Sequence, residues 1–284
     1  MKYRNCLVCD SSNLKFSHQI KNLENTYIYE KCLDCKFTFQ NPWPTPNILQ
    51  IYNDKKYWNS TNVYNSNENV NNKSGNSYGA YQSNRTKEAK KRYDSLKKYF
   101  NSPGRVLEIA CANGIFLKDW KNDGWECLGV DPAEEMIELG KHKFSLDLKC
   151  NKWEDLDIDD KKFNCIFMWG ADSNFYEFDK GFNKIYASLE KNGIFAMSYQ
   201  DFDHPIRKIF KQIKMQYHCL YLFSKKSIHL YLKNLGFEIL EDSLSWQYTR
   251  FSHIKKVLGI DTKGLDFELL IPAISYNIII CRKI

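Results

Sequence analysis

The stretch V-L-E-I-A-C-A-N-G-I-F-L, from Val106 to Leu117, decides how this chain folds. Its apolar run to Ile109 reads as a buried strand, a loop of small residues follows, and a helix opens at about Gly114. About twenty residues on, a second apolar run ends in Gly129-Val130-Asp131-Pro132. Backbone N–H groups at such a helix N-terminus face a ligand, and an acidic side chain one strand away takes ribose hydroxyls. This is the layout of a site for a nucleotide-type cofactor. The glycine fingerprint is not intact, because Ala110 and Ala112 stand where glycines are expected and only Gly114 remains. Each alanine adds a methyl where the backbone approaches the ligand, and each disfavours positive φ.

Outward from that stretch, strands alternate with helices. Strands are expected at 105–110, 126–131, 147–151, 164–170 and 193–199, and helices near 114–122, 133–143 and 178–191. That alternation means βαβ units and a parallel sheet covered on both faces. A charged helix is expected from Arg85 to Phe100, broken by Asn101-Ser102-Pro103-Gly104. After residue 200 a helical stretch runs to about 215. Ser224 then reads as the N-cap of a helix that Gly236 stops. Phe237 to Leu244 and Ser275 to Arg282 are the sixth and seventh strands.

Four of the ten cysteines form two knuckles, Cys6-Leu7-Val8-Cys9 and Cys32-Leu33-Asp34-Cys35. Each Cys-x-x-Cys turn places two thiolates on one side, and two knuckles supply the four-sulfur tetrahedral cage that zinc prefers. A full set of four sulfurs leaves no position for water, so such a zinc is structural. A redox dithiol or disulfide pair is the alternative. The segment is short and has few large apolar residues, so metal binding is expected to provide much of its folding free energy. Pro42-Trp43-Pro44-Thr45-Pro46 closes it as a stiff linker. Between Tyr52 and Asn84 the chain is rich in Asn, Ser and Tyr, with Tyr52, Tyr57, Trp58, Tyr64, Tyr78 and Tyr81 along it. This segment reads either as a loose linker or as a lid over a bound cofactor.

A length of 284 residues suits one domain with an appendage or two domains. The net charge of +7 admits anionic partners such as nucleotide-linked substrates, RNA or an acidic membrane surface, or simply reflects a lysine-rich composition. Lys87, Lys90, Lys91, Arg92, Lys97 and Lys98 have helical spacing and are expected on a solvated face. No apolar leader follows Met1, and no stretch is long and apolar enough to span a membrane. The other six cysteines are scattered, which points to a reducing cytoplasm.

Val106 to Gly114 resembles the first motif of the class I S-adenosylmethionine-dependent methyltransferases. Leu128-Gly129-Val130-Asp131-Pro132 with Glu135-Met136 resembles the second. Leu189 to Phe195 resembles the segment leading into that family's fifth strand. Tyr221-Leu222-Phe223-Ser224 with Leu235-Gly236-Phe237-Glu238 resembles a segment of members that modify small molecules. The likeness covers roughly residues 85 to 284. It implies an α/β fold: a Rossmann-like, seven-stranded, mostly parallel sheet with helices on both faces, here preceded by a small zinc-knuckle module. The corresponding division is 1–46 for the zinc module, 47–100 for linker, lid and lead-in helix, and 101–284 for the methyltransferase domain. The double knuckle is similar to that of a bacterial subgroup that includes deoxysugar C-methyltransferases. Those carry a further C-terminal domain, and this chain stops after its seventh strand, so O- or N-methylation is expected instead.

The resemblance implies a methyl donor, S-adenosylmethionine, and a small acceptor, sugar-like or nucleotide-linked, of surface-polysaccharide or natural-product biosynthesis. Glu108 is expected to hold the methionine amino group, and the loop Ala110, Cys111, Ala112, Asn113 and Gly114 to offer N–H groups. Asp131 with Pro132 takes the ribose. Trp153 either borders the adenine or is an ordinary half-buried aromatic, and Trp169 lies at the cofactor. A hydroxyl acceptor needs a general base, and the candidates are Asp172, Tyr176, Glu177, Asp203 and foremost His204. Competing readings are an RNA methyltransferase gripping phosphates with its zinc module, a NAD-dependent oxidoreductase, and a non-catalytic cofactor-binding protein.

Overall fold

The structure, a computed structural model, describes residues 3–22, 25–53, 78–205, 218–251 and 267–284. The helix expected from 200 to 215 therefore lies largely outside the described residues, as does most of the tyrosine-rich segment.

Eleven strands among the described residues form two sheets. In chain order they are β1 (Leu14–Asn22), β2 (Asn25–Cys32), β3 (Thr38–Gln40), β4 (Arg105–Ile109), β5 (Glu126–Asp131), β6 (Asp147–Cys150), β7 (Phe163–Met168), β8 (Leu189–Gln200), β9 (Tyr221–Leu222), β10 (Phe237–Arg250) and β11 (Glu268–Lys283). The helices are α1 (Tyr78–Lys97), α2 (Lys118–Asn122), α3 (Glu134–Phe144), α4 (Phe178–Ser188) and α5 (Lys225–Asn234).

The larger sheet has the order β10-β11-β8-β7-β4-β5-β6. β4 pairs in parallel with β5 and β7, and β8 joins β7 in parallel. β11 runs antiparallel between β8 and β10. The expected seven-stranded, mostly parallel sheet is thus present. Its strands at the centre are buried on both faces, Val106, Leu107 and Ile109 on β4 and Cys165 through Met168 on β7, as parallel strands under helices must be. From β4 the chain winds one way through β5 and β6 and then returns to place β7 on the other side. The carboxyl ends of β4 and β7 therefore bound the crevice where this class of sheet takes its ligands.

Several boundaries differ from expectation, each for a tertiary reason. α4 ends at Ser188 rather than 191, because Leu189 already pairs with Phe163 in the sheet. The helix expected from 114 is a 3-10 turn at Ile115–Leu117 followed by α2. α1 begins at Tyr78, ahead of Arg85. β10 and β11 extend as a hairpin well beyond the sheet, with pairing as far as Arg250 and Glu268. Ser224 caps α5 as expected: its Oγ accepts the Ser227 N–H at 3.1 Å, and Ser227 Oγ accepts the Ser224 N–H at 2.8 Å.

The N-terminal segment belongs to the same body. β3 pairs antiparallel with β9, so the N-terminal strands and a short strand that follows β8 in the chain make one four-stranded sheet, β1-β2-β3-β9. Tyr29 Oη donates to the Cys219 carbonyl at 2.7 Å, and Ser224 Oγ to that of Cys35 at 3.3 Å. The expectation of few apolar residues here is corrected, since Phe37, Phe39 and Trp43 are buried in one cluster with Phe178, Tyr221 and Phe223.

Candidate active site

The loop after β4 keeps the backbone of a glycine motif without its glycines. Ala110, Ala112 and Gly114 all lie in the left-handed region, with φ of 55°, 47° and 70°. Two alanines thus accept a conformation that L-residues avoid at roughly 1–2 kcal/mol each. The surroundings hold them there. Cys111 N–H donates to the Val130 carbonyl at 3.1 Å, continuing the β4–β5 pairing past the strand end. Ala112 N–H donates to Asp131 Oδ2 at 2.8 Å, Gly114 N–H to the Cys111 carbonyl at 2.8 Å, and Ile115 N–H to Asn113 Oδ1 at 3.3 Å. Of the five amides expected to face the ligand, Ala110 to Gly114, those of Cys111, Ala112 and Gly114 are therefore spent on shaping the loop, as is that of Ile115. α3 closes over it at Gly140, where a Cβ would overlap the Asn113 carbonyl oxygen.

Asp131 is buried at the end of β5. Its second oxygen, Oδ1, accepts the Ala133 N–H at 2.8 Å, so the carboxylate ties the loop to the start of α3. Burial pushes its carboxyl up to about 6, against the pull of the two amide bonds. Each oxygen keeps a further lone pair for a ribose hydroxyl.

Glu108 is fully buried within β4, and its Oε2 has no hydrogen-bond partner. Burial drives its carboxyl well above the usual range, Asp131 adds to that, and Arg85 and Arg92 oppose it. Trp169 follows β7, stacked on Phe167 with ring centroids 5.4 Å apart, and its buried Nε1 also lacks a partner. Glu108, the loop, Asp131 with Pro132, and Trp169 thus converge at the carboxyl ends of β4, β5 and β7.

Two expected residues stand elsewhere. Trp153 is buried, donates its Nε1–H to the Gly181 carbonyl at 3.0 Å, and has Lys184 Nζ 4.4 Å from its ring centroid. It packs α4, which leaves neither its N–H nor that ring face for an adenine. Tyr176 donates its hydroxyl to the Pro44 carbonyl at 3.0 Å and lies beside Trp43, fastening the N-terminal segment.

Of the other base candidates, Asp203 pairs with Lys31 at 2.6 Å and Glu177 with Lys180 at 2.8 Å. His204 is half-buried in the turn after β8, its backbone N–H on the Asp201 carbonyl at 3.3 Å. Asp172 is buried beyond β7 and accepts the Gln200 N–H at 3.3 Å; burial pushes its carboxyl up to about 6.

Sequence reasoning missed the contribution of α1. Arg92, expected on a solvated face, is inside, its guanidinium 4.4 Å from the Trp169 ring centroid and 5.5 Å from that of Phe116. Arg85 lies 5.7 Å from the same Phe116 ring. The signal was available, because 85, 88, 89, 92, 93 and 96 share one helical face and Ala89, Tyr93 and Leu96 on it are buried. The lysines here do face outward, Lys90 and Lys97 of α1 pairing with Asp94 and Asp123, and Lys98 just after it with Glu241.

The second cluster is the four cysteines. Their sulfurs all lie within 4.8 Å of one another, with Cys6 and Cys35 3.4 Å apart and Cys9 and Cys32 3.6 Å apart. A tetrahedral cage with metal–sulfur bonds of about 2.3 Å has edges of about 3.8 Å, so the four are placed to hold one ion. None of the ten cysteines is in a disulfide.

Residues 81–242, more than half of the chain, match the family described as a methyltransferase domain. The chain belongs to that family. Among solved structures it is similar to magnesium protoporphyrin IX methyltransferase from Synechocystis PCC 6803 with bound SAH. That match has 12% identity and a TM-score of 0.53, over 83% of this chain and 97% of that one. A protein from Pyrococcus horikoshii OT3 matches at 18% identity and TM-score 0.52, over 81% and 100%. The YcgJ protein of Bacillus subtilis matches at 15% and 0.51, over 69% and 98%. At these identities the likeness is one of fold. No curated protein matches the chain in sequence. Among the described residues no helix is long and apolar enough to cross a membrane.

Proposed function

We propose that this methyltransferase-domain protein uses S-adenosylmethionine as its methyl donor and a small molecule as acceptor, and that its four cysteines hold a structural zinc. The observation that carries the donor is the unpartnered, buried Oε2 of Glu108 beside the Ala110–Gly114 loop and Asp131. A buried acceptor without a donor is costly unless a ligand supplies one, and the donor's ammonium group does so. Asp131 offers its remaining lone pairs to the ribose hydroxyls.

When bound, S-adenosylmethionine supplies an electrophilic methyl on a sulfonium, so the protein's work is mainly alignment and exclusion of water. Trp169 and Phe116 provide apolar walls for that. A hydroxyl or amine acceptor also needs its proton taken. Asp172, whose carboxyl titrates near 6, suits this at neutral pH, with His204 as the second candidate. A sugar-like or nucleotide-linked acceptor, methylated on O or N, rests on the resemblance of the double knuckle alone.

Calorimetry with S-adenosylhomocysteine tests the donor: one site per chain is expected, and no heat at high protein concentration overturns the reading. Metal analysis of the purified protein tests the zinc. About one equivalent is expected, and less than half an equivalent sinks that part.

A further inference from the structure

The hairpin of β10 and β11 outruns the sheet it belongs to. β8 stops pairing at Gln200, opposite Tyr276, while β10 and β11 stay paired as far as Arg250 and Glu268. The outer part of the ribbon therefore stands clear of β8, above the carboxyl edge of the sheet where the crevice opens. Of the ten large apolar side chains exposed among the described residues, Leu244, Trp246, Phe267, Leu270 and Tyr276 are on this one hairpin. Cross-strand partners share a face and successive residues alternate. Trp246 with Pro272 and Tyr248 with Leu270 thus line one face. Gln247 with Ile271 and Thr249 with Leu269 line the other, continued by Phe251 and Phe267, whose ring centroids are 4.9 Å apart.

A strand with one face in water alternates apolar and polar side chains, whereas strands buried on both faces read as continuous apolar runs. Phe267 to Ile274 is such a run, broken by Glu268 alone. Yet Phe267 and Leu270 are exposed, and Leu269 and Ile271 are only half-buried. A rigid partner covers one face of a ribbon, but a fluid apolar medium takes both. The charge beside the ribbon selects the medium. α1 lays Lys87 and Lys91, one turn apart, along the Trp246 and Tyr248 face. Lys91 Nζ is 5.7 Å from the Trp246 ring centroid, and Lys87 Nζ is 5.4 Å from that of Tyr248. Their stems lie on the rings, and their ammonium groups add to the field of a chain with net charge +7. A second copy of the chain brings the same lysines to the contact, like charge against like. An anionic lipid surface brings the opposite charge. Tryptophan and tyrosine beside lysine also suit the boundary between headgroups and acyl chains. β10 is the last strand of its sheet among the described residues, and its open backbone edge needs water, which holds the contact at headgroup level.

We propose that the β10–β11 hairpin is a docking arm for an anionic lipid surface. Trp246, Leu270 and Phe267 enter the headgroup layer, and Lys87 and Lys91 meet the lipid phosphates. The arm rests on the surface and does not span it. Because it rises from the carboxyl edge of the sheet, docking turns the crevice toward the bilayer. The inference stands apart from the choice of methyl donor and from the zinc.

The test is flotation of the full chain with vesicles of phosphatidylcholine alone and of phosphatidylcholine with an equal part of phosphatidylglycerol. The mixed vesicles are expected to bind at least tenfold more tightly than the neutral ones, with binding that weakens as salt rises. Equal binding to both, or none to the mixed vesicles, overturns the proposal. Trp246→Ser with Leu270→Ser, and separately Lys87→Glu with Lys91→Glu, should each weaken binding to mixed vesicles at least tenfold at an unchanged melting temperature. Undiminished binding by either pair overturns it. A milder variant covers the case in which those pairs disturb folding: brominated phosphatidylcholine in the mixed vesicles should quench the tryptophan fluorescence of the wild type and that of Trp246→Phe distinctly less. Equal quenching of the two places the contact elsewhere on the molecule and overturns the arm. Light scattering checks the remaining occupant. A dimer that Trp246→Ser with Leu270→Ser converts to monomer, in a protein that ignores vesicles, assigns the ribbon to a second copy instead.

Discussion

At the residue scale, Ala110 and Ala112 show what tertiary context can impose. Both hold positive φ because Asp131, Val130 and the following turn fix the loop's hydrogen bonds. The sequence showed missing glycines; only the folded backbone shows that their conformation persists. Ala110→Gly or Ala112→Gly should therefore raise stability by about 1 kcal/mol each, read from urea unfolding, and leave S-adenosylhomocysteine binding intact. A loss of stability would mean that the alanine methyls are packed rather than strained. Asp172 offers a test of burial. Its folded pKa of about 6 stands above the ordinary 3.8, so its contribution to stability is full below about 4 and lost as pH rises through 6. Two units correspond to about 3 kcal/mol. Asp172→Asn should unfold at higher urea than wild type at pH 8 and lose that advantage at pH 4. A pH-independent difference between the two would show that this carboxyl does not titrate in the folded core.

At the element scale, the strands of the central sheet were legible because buried parallel strands are short apolar runs punctuated by turns. The legible helices carried a cap or a stop, as Ser224 and Gly236 do for α5. Ends set by pairing were not legible: Leu189 leaves α4 because Phe163 is its partner in the sheet. Arg92 was misplaced for a related reason. Six basic residues at helical spacing look like a solvated face until the buried residues Ala89, Tyr93 and Leu96 define which face is inside. Another element-scale contact, α3 on the cofactor loop, depends on Gly140. Gly140→Ala drives a methyl into the Asn113 carbonyl. It should cost about 1–3 kcal/mol, as overpacking does, and weaken S-adenosylhomocysteine in parallel, both measurable on one preparation. Unaltered nucleoside affinity would detach the helix from the loop's geometry.

At the scale of the whole molecule, the four-cysteine segment and the methyltransferase sheet share a core through β3–β9 pairing and the Phe37, Phe178, Tyr221 and Phe223 rings. Removing metal by chelation should thus lower the melting temperature of the entire chain, by roughly 10 °C or more, in one transition. Two separate transitions would show the segment melting as an independent module.

The sequence by itself determined the strand–helix alternation, the loop with its acidic partner Asp131, and the four thiols, because each is a local pattern whose spacing fixes its geometry. The tertiary structure alone decided which polar groups are buried without partners. Glu108, Arg92 and Trp169 lie in three different segments, and only folding brings them to one crevice and removes the water that would have satisfied them. It also took Trp153 and Tyr176 out of the site, since their N–H and O–H found carbonyls at Gly181 and Pro44 that no spacing in the chain announces.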